Sequence, residues 1–421
     1  MSEVVITLFE HAGPVSRRLP DEVGRALAAS GIVEAAPDVC LPGHWVLRAG
    51  SRVGAVAVTV PGREPVTLRI TPKVPIDRLF FLLGYSLDPR GWRDGEVEVA
   101  EHRGLLSALA HAFERQVERA LGRGLLQGYR STDETTLVMR GRLRGSDQIK
   151  HRFGAALPVE ITYDDFTTDI PENQLLRSAV DRVLRLPGVP RTIRTRLTRQ
   201  RARLADVTPL PRGHTLPDWR PTRLNSRYHH ALHLARAILT GSSTEHGPGS
   251  LHIDGFLFDM NKVFEDFVCV ALREALIPYG GRGSLQAGGV YLDEAAAVRM
   301  RPDFVWYSDR GAPLAVADAK YKAEKPKGYP EADLYQMLAY CTALGLPEGH
   351  LLYAKGSVPH AEHRVRRGAV TLHQHALDLA QPPASLLAAT RALAHRLAYS
   401  AGGAGFERGQ PDRPLTPPPA G

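Results

Sequence analysis

The sequence predicts an α+β multidomain chain with a β-rich N-terminal domain, a helical middle region carrying a β arm, and a C-terminal α/β domain. Three observations predict it. At 421 residues the chain exceeds one ordinary domain. Short β-branched runs broken by Gly and Pro fill its first quarter, whereas helical periodicity governs the middle. From about residue 250 to 400 the pattern reads helix, strands, helix, strand, helix.

In the first domain, residues 1–98, Val4–Phe9, Trp45–Leu47, Val53–Val60 and Val66–Ile70 read as strands. Asp21–Ala29 reads as a helix, and Ile76–Tyr85 is apolar enough to be buried. The second region, residues 99–245, opens with a long helix over 101–128, where Leu105, Leu109, Phe113, Val117 and Leu121 recur at helical spacing. A polar β arm follows, with strands at Thr135–Arg144 and Val159–Tyr163. Helix resumes over 172–205, interrupted at Pro187–Pro190, and again near Tyr228–Leu239. The polar segment Gly241–Gly249 reads as the boundary to the C-terminal domain, residues 246–400. Residues 401–421, rich in Gly and Pro, read as a disordered tail.

A net charge of +8 and a pI near 9.5 favour an anionic partner, nucleic acid first among them. The charge concentrates over 177–203, where nine arginines face one acid, Asp181. Arg191, Arg194 and Arg199 are candidate phosphate contacts, which would be sequence-independent and salt-sensitive. The three cysteines, Cys40, Cys269 and Cys341, show neither disulfide nor zinc spacing. No apolar stretch reaches spanning length and no signal-peptide pattern opens the chain, so the expectation is a cytoplasmic protein without membrane contact.

The chemistry concentrates in VRMRPDFVWY at 298–307 and LAVADAKYK at 314–322. The second segment reads as a strand with Asp318 and Lys320 on one face and Ala317, Ala319 and Tyr321 on the other. An acid and a lysine at the end of a buried strand are expensive without a job. The turn Ser308–Gly311 lets the two segments pair as a hairpin and bring Asp303 to Asp318. A divalent cation between two carboxylates removes their repulsion, and oxygen ligands suit Mg2+, with Mn2+ as the alternative. Such a centre would polarise a phosphate and activate water, with Lys320 orienting or deprotonating that water or stabilising developing charge.

Two helices extend the centre. On Phe258–Leu276, Glu265 falls outside the polar face of Lys262, Asp266 and Arg273, so it either snorkels or points into a site. In DLYQMLAY at 333–340, Gln336 and Tyr340 lie i and i+4 on one face. Lys322 is a candidate phosphate contact.

The spacing Pro302-Asp303, then Asp318-Ala319-Lys320, resembles the PD-(D/E)XK nucleases, and the Gln336/Tyr340 helix resembles their RecB-like branch. From about Arg69 to Lys355 the chain resembles the McrC family, the nuclease subunits of McrBC-type modification-dependent (type IV) restriction systems. The similarity runs through RITPKVPIDRLFFLLGY at 69–85, RGRLRG at 140–145, YDDFTTDIPENQLLRSAV at 163–180 and FLFDMNKVFEDFV at 256–268. It implies a PD-(D/E)XK endonuclease core over 246–400 and a magnesium-dependent hydrolase acting on double-stranded DNA, with modified cytosine as one option. It also implies a McrB-like AAA+ GTPase hexamer as partner, stimulated by this chain, in antiviral defence. The absence of a G-x-x-x-x-G-K-[ST] loop agrees with a motor supplied in trans. By the same resemblance Asp303, Asp318 and Lys320 would carry catalysis with Gln336, which would help order the site, and Tyr340, which would meet the substrate backbone, while Glu265 would join Asp303 and Asp318 as a metal ligand. The β arm would enter the ring, with Arg140, Arg142 and Arg144 as partner contacts. The alternative is a non-catalytic, DNA-binding activator of a AAA+ ring with a vestigial nuclease fold.

Overall fold

β-branched segments separated by Gly and Pro favour strands because their side chains fit a pleated, half-buried surface. The computed structural model describes residues 4–60, 65–87, 89, 105–153, 155–186, 188–211, 214–240, 252–323, 331–355 and 360–402. It divides into two units, Met1–Met260 and Asn261–Gly421.

The first unit runs β1 (Val4–Phe9), β2 (Val15–Arg18), α1 (Asp21–Ser30), β3 (Val33–Pro37), β4 (His44–Ala49), β5 (Arg52–Thr59) and β6 (Val66–Thr71). Then come α2 (Ile76–Leu87), α3 (Leu105–Leu121), β7 (Gly128–Thr136), β8 (Arg142–Leu143), α4 (Gly145–Arg152) and β9 (Val159–Thr167). It closes with α5 (Pro171–Arg185), α6 (Arg191–Arg203), α7 (His229–Thr240) and β10 (His252–Asp259). The strands form a sheet β1-β6-β5-β10, a sheet β2-β4-β3, and an arm β7-β9-β8. The apolar face of α3, with Leu109, Phe113 and Val117 fully buried, packs with α6 and α7. Helix α2 also packs on α7 and β5 on α3, so the regions expected over 1–98 and 99–245 share one unit.

Strand β10 corrects the expected boundary at 245/246. Residues 252–259 pair antiparallel with β5 along its whole length, burying Phe256 and Phe258 in the first unit. Gly54 makes the pairing possible: with φ at +142°, a Cβ there would stand 2.0 Å from the Phe256 carbonyl oxygen. The expected helix at 258–276 accordingly starts two residues later. The linker at 241–249 and the tail beyond 402 lie outside the described residues.

The second unit runs α8 (Met260–Leu276), β11 (Arg282–Leu285), β12 (Val290–Tyr291), β13 (Arg299–Met300), β14 (Phe304–Tyr307), β15 (Pro313–Ala323), α9 (Glu331–Leu344), β16 (Glu348–Lys355), β17 (His360–Arg364), β18 (Thr371–Ala376) and α10 (Pro383–Gly402). Its sheet has the order β11-β14-β15-β16-β18-β17. β14 and β15 are antiparallel, whereas β15, β16 and β18 run parallel. Parallel neighbours need a crossover, and α9 supplies it between β15 and β16. α9 seats Met337, Tyr340 and Cys341 on Val305, Val316, Leu351 and Tyr353 of the sheet. It lies so close that a Cβ on Gly349 would meet the Cys341 sulfur at 2.5 Å. The opposite face carries Phe264 of α8 against Tyr321, 6.0 Å between ring centroids, and a stack of His350, His373, His375 and His360. Burial holds His350 and His375 neutral, the latter with its pKa lowered to about 3.

Candidate active site

Alternation along β15 sends Val316 toward α9 and Ala317 away, so Asp318 follows Val316 onto the α9 side. The β14–β15 register pairs Phe304 with Ala317 and Val305 with Val316. Continued by one residue, it sets Asp303 opposite Asp318. Asp303 Oδ2 accepts a hydrogen bond from the Ala319 amide at 2.9 Å, which ties the first carboxylate to the second strand. The predicted hairpin and its juxtaposed acids are both present.

The pair is electrostatically strained. Asp318 is 2% exposed, and its Oδ2 is in direct contact with the Lys320 ammonium as a charge-assisted pair. Burial first, then the charge of Asp318, pushes the Asp303 carboxyl up to about 8. Near neutral pH the Asp303 carboxyl therefore tends to keep its proton. Burial works against the charge on Lys320, but Asp318 outweighs it and the ammonium pKa is raised.

Around the pair, the other predicted residues fall into two groups. Glu265 of α8 is half-buried, and its Oε1 accepts from Gln286 Nε2 at 2.7 Å. Its charge also contributes to the upward shift of Asp303. Among the described residues no three His, Cys, Asp or Glu side chains converge to hold a metal ion by themselves. Asp303, Asp318 and Glu265 are thus not a closed ligand set. The carboxylate pair nevertheless fits a hard cation: its chemistry is all oxygen, and burial beside Asp318 holds the Asp303 carboxyl high, a cost that a cation in place of the proton would remove.

Gln336 is exposed and donates from Nε2 to the Tyr340 hydroxyl at 2.8 Å. Tyr340 is buried and donates to the Arg301 carbonyl at 3.2 Å. Burial, with Asp318 and Asp303 nearby, raises the pKa of its phenol. The Tyr340 hydroxyl is thus engaged on both sides, which ties it to the backbone at Arg301. Three residues near the centre escaped the sequence reading. Asp333, buried in the first turn of α9, accepts from the Tyr353 hydroxyl at 3.2 Å and contributes to the raised pKa of Lys320. Gln286 and Arg301 hold Glu265 and one another. Only Asp333 carried a usable signal, an acid three residues before Gln336 in a helix already under suspicion. The side chain of Lys322 lies outside the described residues.

Several arginines of α6 are committed within the first unit. Arg194 donates to the Leu184 and Leu186 carbonyls, capping the end of α5. Arg196 pairs with Glu114 at 3.6 Å, Arg201 with Asp181 at 2.7 Å and Arg203 with Glu118 at 3.6 Å. The phosphate expectation for Arg194 is thus corrected. Arg191 and Arg199 are exposed, with no side-chain partner among the described residues. In the arm, Arg140 pairs with Glu134 and lies 4.0 Å from the Tyr163 ring centroid, while Arg144 pairs with Asp147 and Asp133. Arg142 stays exposed. The arm's tip is apolar instead: Leu137, Val138 and Met139 are 70%, 68% and 56% exposed.

Residues 47–354 match the family described as McrBC 5-methylcytosine restriction system component. No curated protein matches. Among solved structures, the chain resembles a chain of the refined half-complex from a tetradecameric assembly of Thermococcus gammatolerans McrB AAA+ hexamers with bound McrC. There the TM-score is 0.55 at 18% identity, covering 94% of this chain and 100% of that one. A second match, to the cryo-EM structure of the Thermococcus gammatolerans McrBC complex, has a TM-score of 0.39 at 20% identity, covering 65% of this chain and 88% of that one.

Proposed function

The chain belongs to the family of McrBC 5-methylcytosine restriction system components, and from that premise we propose that it is the DNA-cleaving subunit of such a system. It would hydrolyse phosphodiesters with Mg2+ or Mn2+ at a PD-(D/E)XK centre and stimulate a AAA+ GTPase partner. The observation that carries the reading is the pair Asp303–Asp318, set opposite one another across the hairpin with Asp318 buried and Lys320 paired to it.

Asp303 and Asp318 would hold the cation, which when bound supplies Lewis-acid polarisation of the phosphate and a more acidic water. Asp303 must release its proton as the cation enters, because the carboxyl is protonated up to about pH 8 without it. The raised pKa of Lys320 keeps it charged. It therefore suits orienting a water and stabilising charge that develops on the phosphate, rather than proton abstraction. Tyr340 and Gln336 fix the backbone at Arg301, two residues before Asp303. The apolar tip Leu137–Met139, flanked by Arg142, supports docking of the arm on a protein partner. The likeness in fold to a McrC-bound McrB assembly makes an AAA+ ring the first partner to test.

The test is cleavage of double-stranded DNA, methylated and unmethylated, by the chain with a McrB-type partner, nucleotide and Mg2+. Asp318→Ala is expected to abolish cleavage, and undiminished cutting would overturn the reading. The non-catalytic activator reading draws on the absence of three converging ligands among the described residues. It predicts that wild type and Asp318→Ala stimulate the partner's nucleotide turnover equally and that neither cuts.

A further inference from the structure

Gln286 has a backbone that glutamine seldom adopts. Its φ is +46°, a region where a Cβ is crowded and glycine is the usual occupant. Strain of this kind persists where the surroundings over-determine it, and side chains held this way cluster at functional sites. Here the surroundings are specific. The Gln286 amide N–H donates to the Asp303 carbonyl at 2.7 Å, and the next amide, of Ala287, donates to the Pro302 carbonyl at 3.1 Å. Its side-chain Nε2 donates to Glu265 Oε1 at 2.7 Å, while its Oε1 accepts from the Arg301 guanidinium. With a donor on one side and an acceptor on the other, the orientation of the amide is fixed.

These bonds join a longer series. Gln336 donates to Tyr340, Tyr340 donates to the Arg301 carbonyl, Arg301 donates to Gln286, and Gln286 donates to Glu265. The series leads from α9 to α8 past the Asp303–Asp318 pair. A glycine at position 286 would make the same turn with less strain but would leave Glu265 untethered.

We propose that Gln286, braced by Arg301, is a positioning residue of the cation site. It fixes Glu265 beside Asp303 so that a third carboxylate supports a cation held by Asp303 and Asp318. The proposal rests on the metal-dependent reading above. Gln286 occupies Glu265 Oε1, and because the three carboxylates do not converge as direct ligands, the other oxygen is left to hold a water on the cation. Partners of this kind orient metal-binding groups, and removing one lowers metal affinity about 10-fold or more.

The test uses the purified full chain without DNA or partner and Mn2+ as the probe, with binding read by calorimetry and electron paramagnetic resonance. Wild type is expected to bind Mn2+ at a site lost in Asp318→Ala. Absence of that site overturns the metal-dependent reading and this proposal with it. Gln286→Gly keeps a backbone glycine favours, so its melting temperature is expected at or above wild type while Mn2+ affinity falls about 10-fold. Arg301→Ala, an exposed position, is expected to weaken binding in the same direction. In a Glu265→Gln background, Gln286→Gly should add nothing. Wild-type Mn2+ affinity in Gln286→Gly overturns the proposal while leaving the metal-dependent reading intact, as does an undiminished loss in the Glu265→Gln background. In cleavage, Gln286→Gly should raise the Mg2+ concentration for half-maximal rate and leave the rate at saturating Mg2+ near wild type.

Discussion

Helix α6 and the β14–β15 hairpin are both conspicuous for charge, and they use it in opposite ways. In α6 the excess is large, yet Arg194, Arg196, Arg201 and Arg203 each meet a carboxylate or a carbonyl of the same unit. At the Asp303 end of the hairpin the charges are fewer, but burial and the charge of Asp318 push the Asp303 carboxyl up to about 8 even with Lys320 paired to Asp318. The contrast teaches that the strain on a charge, rather than the number of charges, singles out a candidate site. A folded chain pairs buried charge where it can, so a carboxyl whose pKa stays raised beside a paired neighbour is the place to look for a ligand.

The largest effect that would sharpen this contrast is on cleavage. Lys320→Ala is expected to lower the single-turnover cleavage rate by about 100-fold or more, the scale for removing a group that stabilises developing charge. No arginine of α6 should change that rate once DNA is saturating. A comparable loss in Arg199→Ala would break the division of labour between the two regions.

The next effect is on stability as pH changes. The Asp303 carboxyl, raised to about 8, binds its proton more tightly in the folded chain than in the unfolded one. Asp303 therefore takes stability away as pH rises from the ordinary carboxylate range to about 8, and beyond that the loss is complete. Asp303→Asn removes this dependence. The stability of Asp303→Asn minus wild type, measured by urea unfolding without divalent ions, should grow by roughly 1 kcal/mol per pH unit over that window and then level off. The opposite face of the sheet contributes the reverse slope. His350 and His375, held neutral by burial, lose stability as pH falls below the ordinary histidine range, and the difference measurement cancels them. A flat difference would show that the acids are not strained.

Within α6, the capping arginine separates structure from binding. Arg194→Ala is expected to destabilise the chain by about 2 kcal/mol, since it removes charge-assisted hydrogen bonds to the last carbonyls of α5. The salt dependence of DNA binding should stay at the wild-type slope.

Much of this was legible in the sequence, for reasons that differ by region. Strand alternation put Asp318 and Lys320 on one face, and the turn at Ser308–Gly311 set the hairpin that brings Asp303 across. Helical spacing likewise singled out Glu265, Gln336 and Tyr340. What resisted was long-range pairing. Glu114 and Glu118, partners of Arg196 and Arg203, lie more than 80 residues upstream of them on α3, so a local count of acids missed them. The same holds for β10, whose place is set by β5 and by Gly54 about 200 residues earlier. Gln286 had no local signal, because its role depends on a positive φ and on three partners from separate elements.

The smallest effect tests the residual claim of α6 on DNA. Arg191 and Arg199 are exposed and without a partner among the described residues, so replacing either by Ala should leave stability within about 0.5 kcal/mol of wild type. A phosphate contact would nevertheless register in the salt dependence. Each neutralised phosphate releases about 0.9 counterion on duplex DNA, so each lost contact should flatten the slope of log affinity against log salt by about 1. Fluorescence anisotropy across a salt series measures this directly. If both variants keep the wild-type slope, α6 is a structural helix throughout. The basic character of the chain would then have to act through arginines elsewhere, Arg142 of the arm and Arg301 beside the acidic pair being exposed examples.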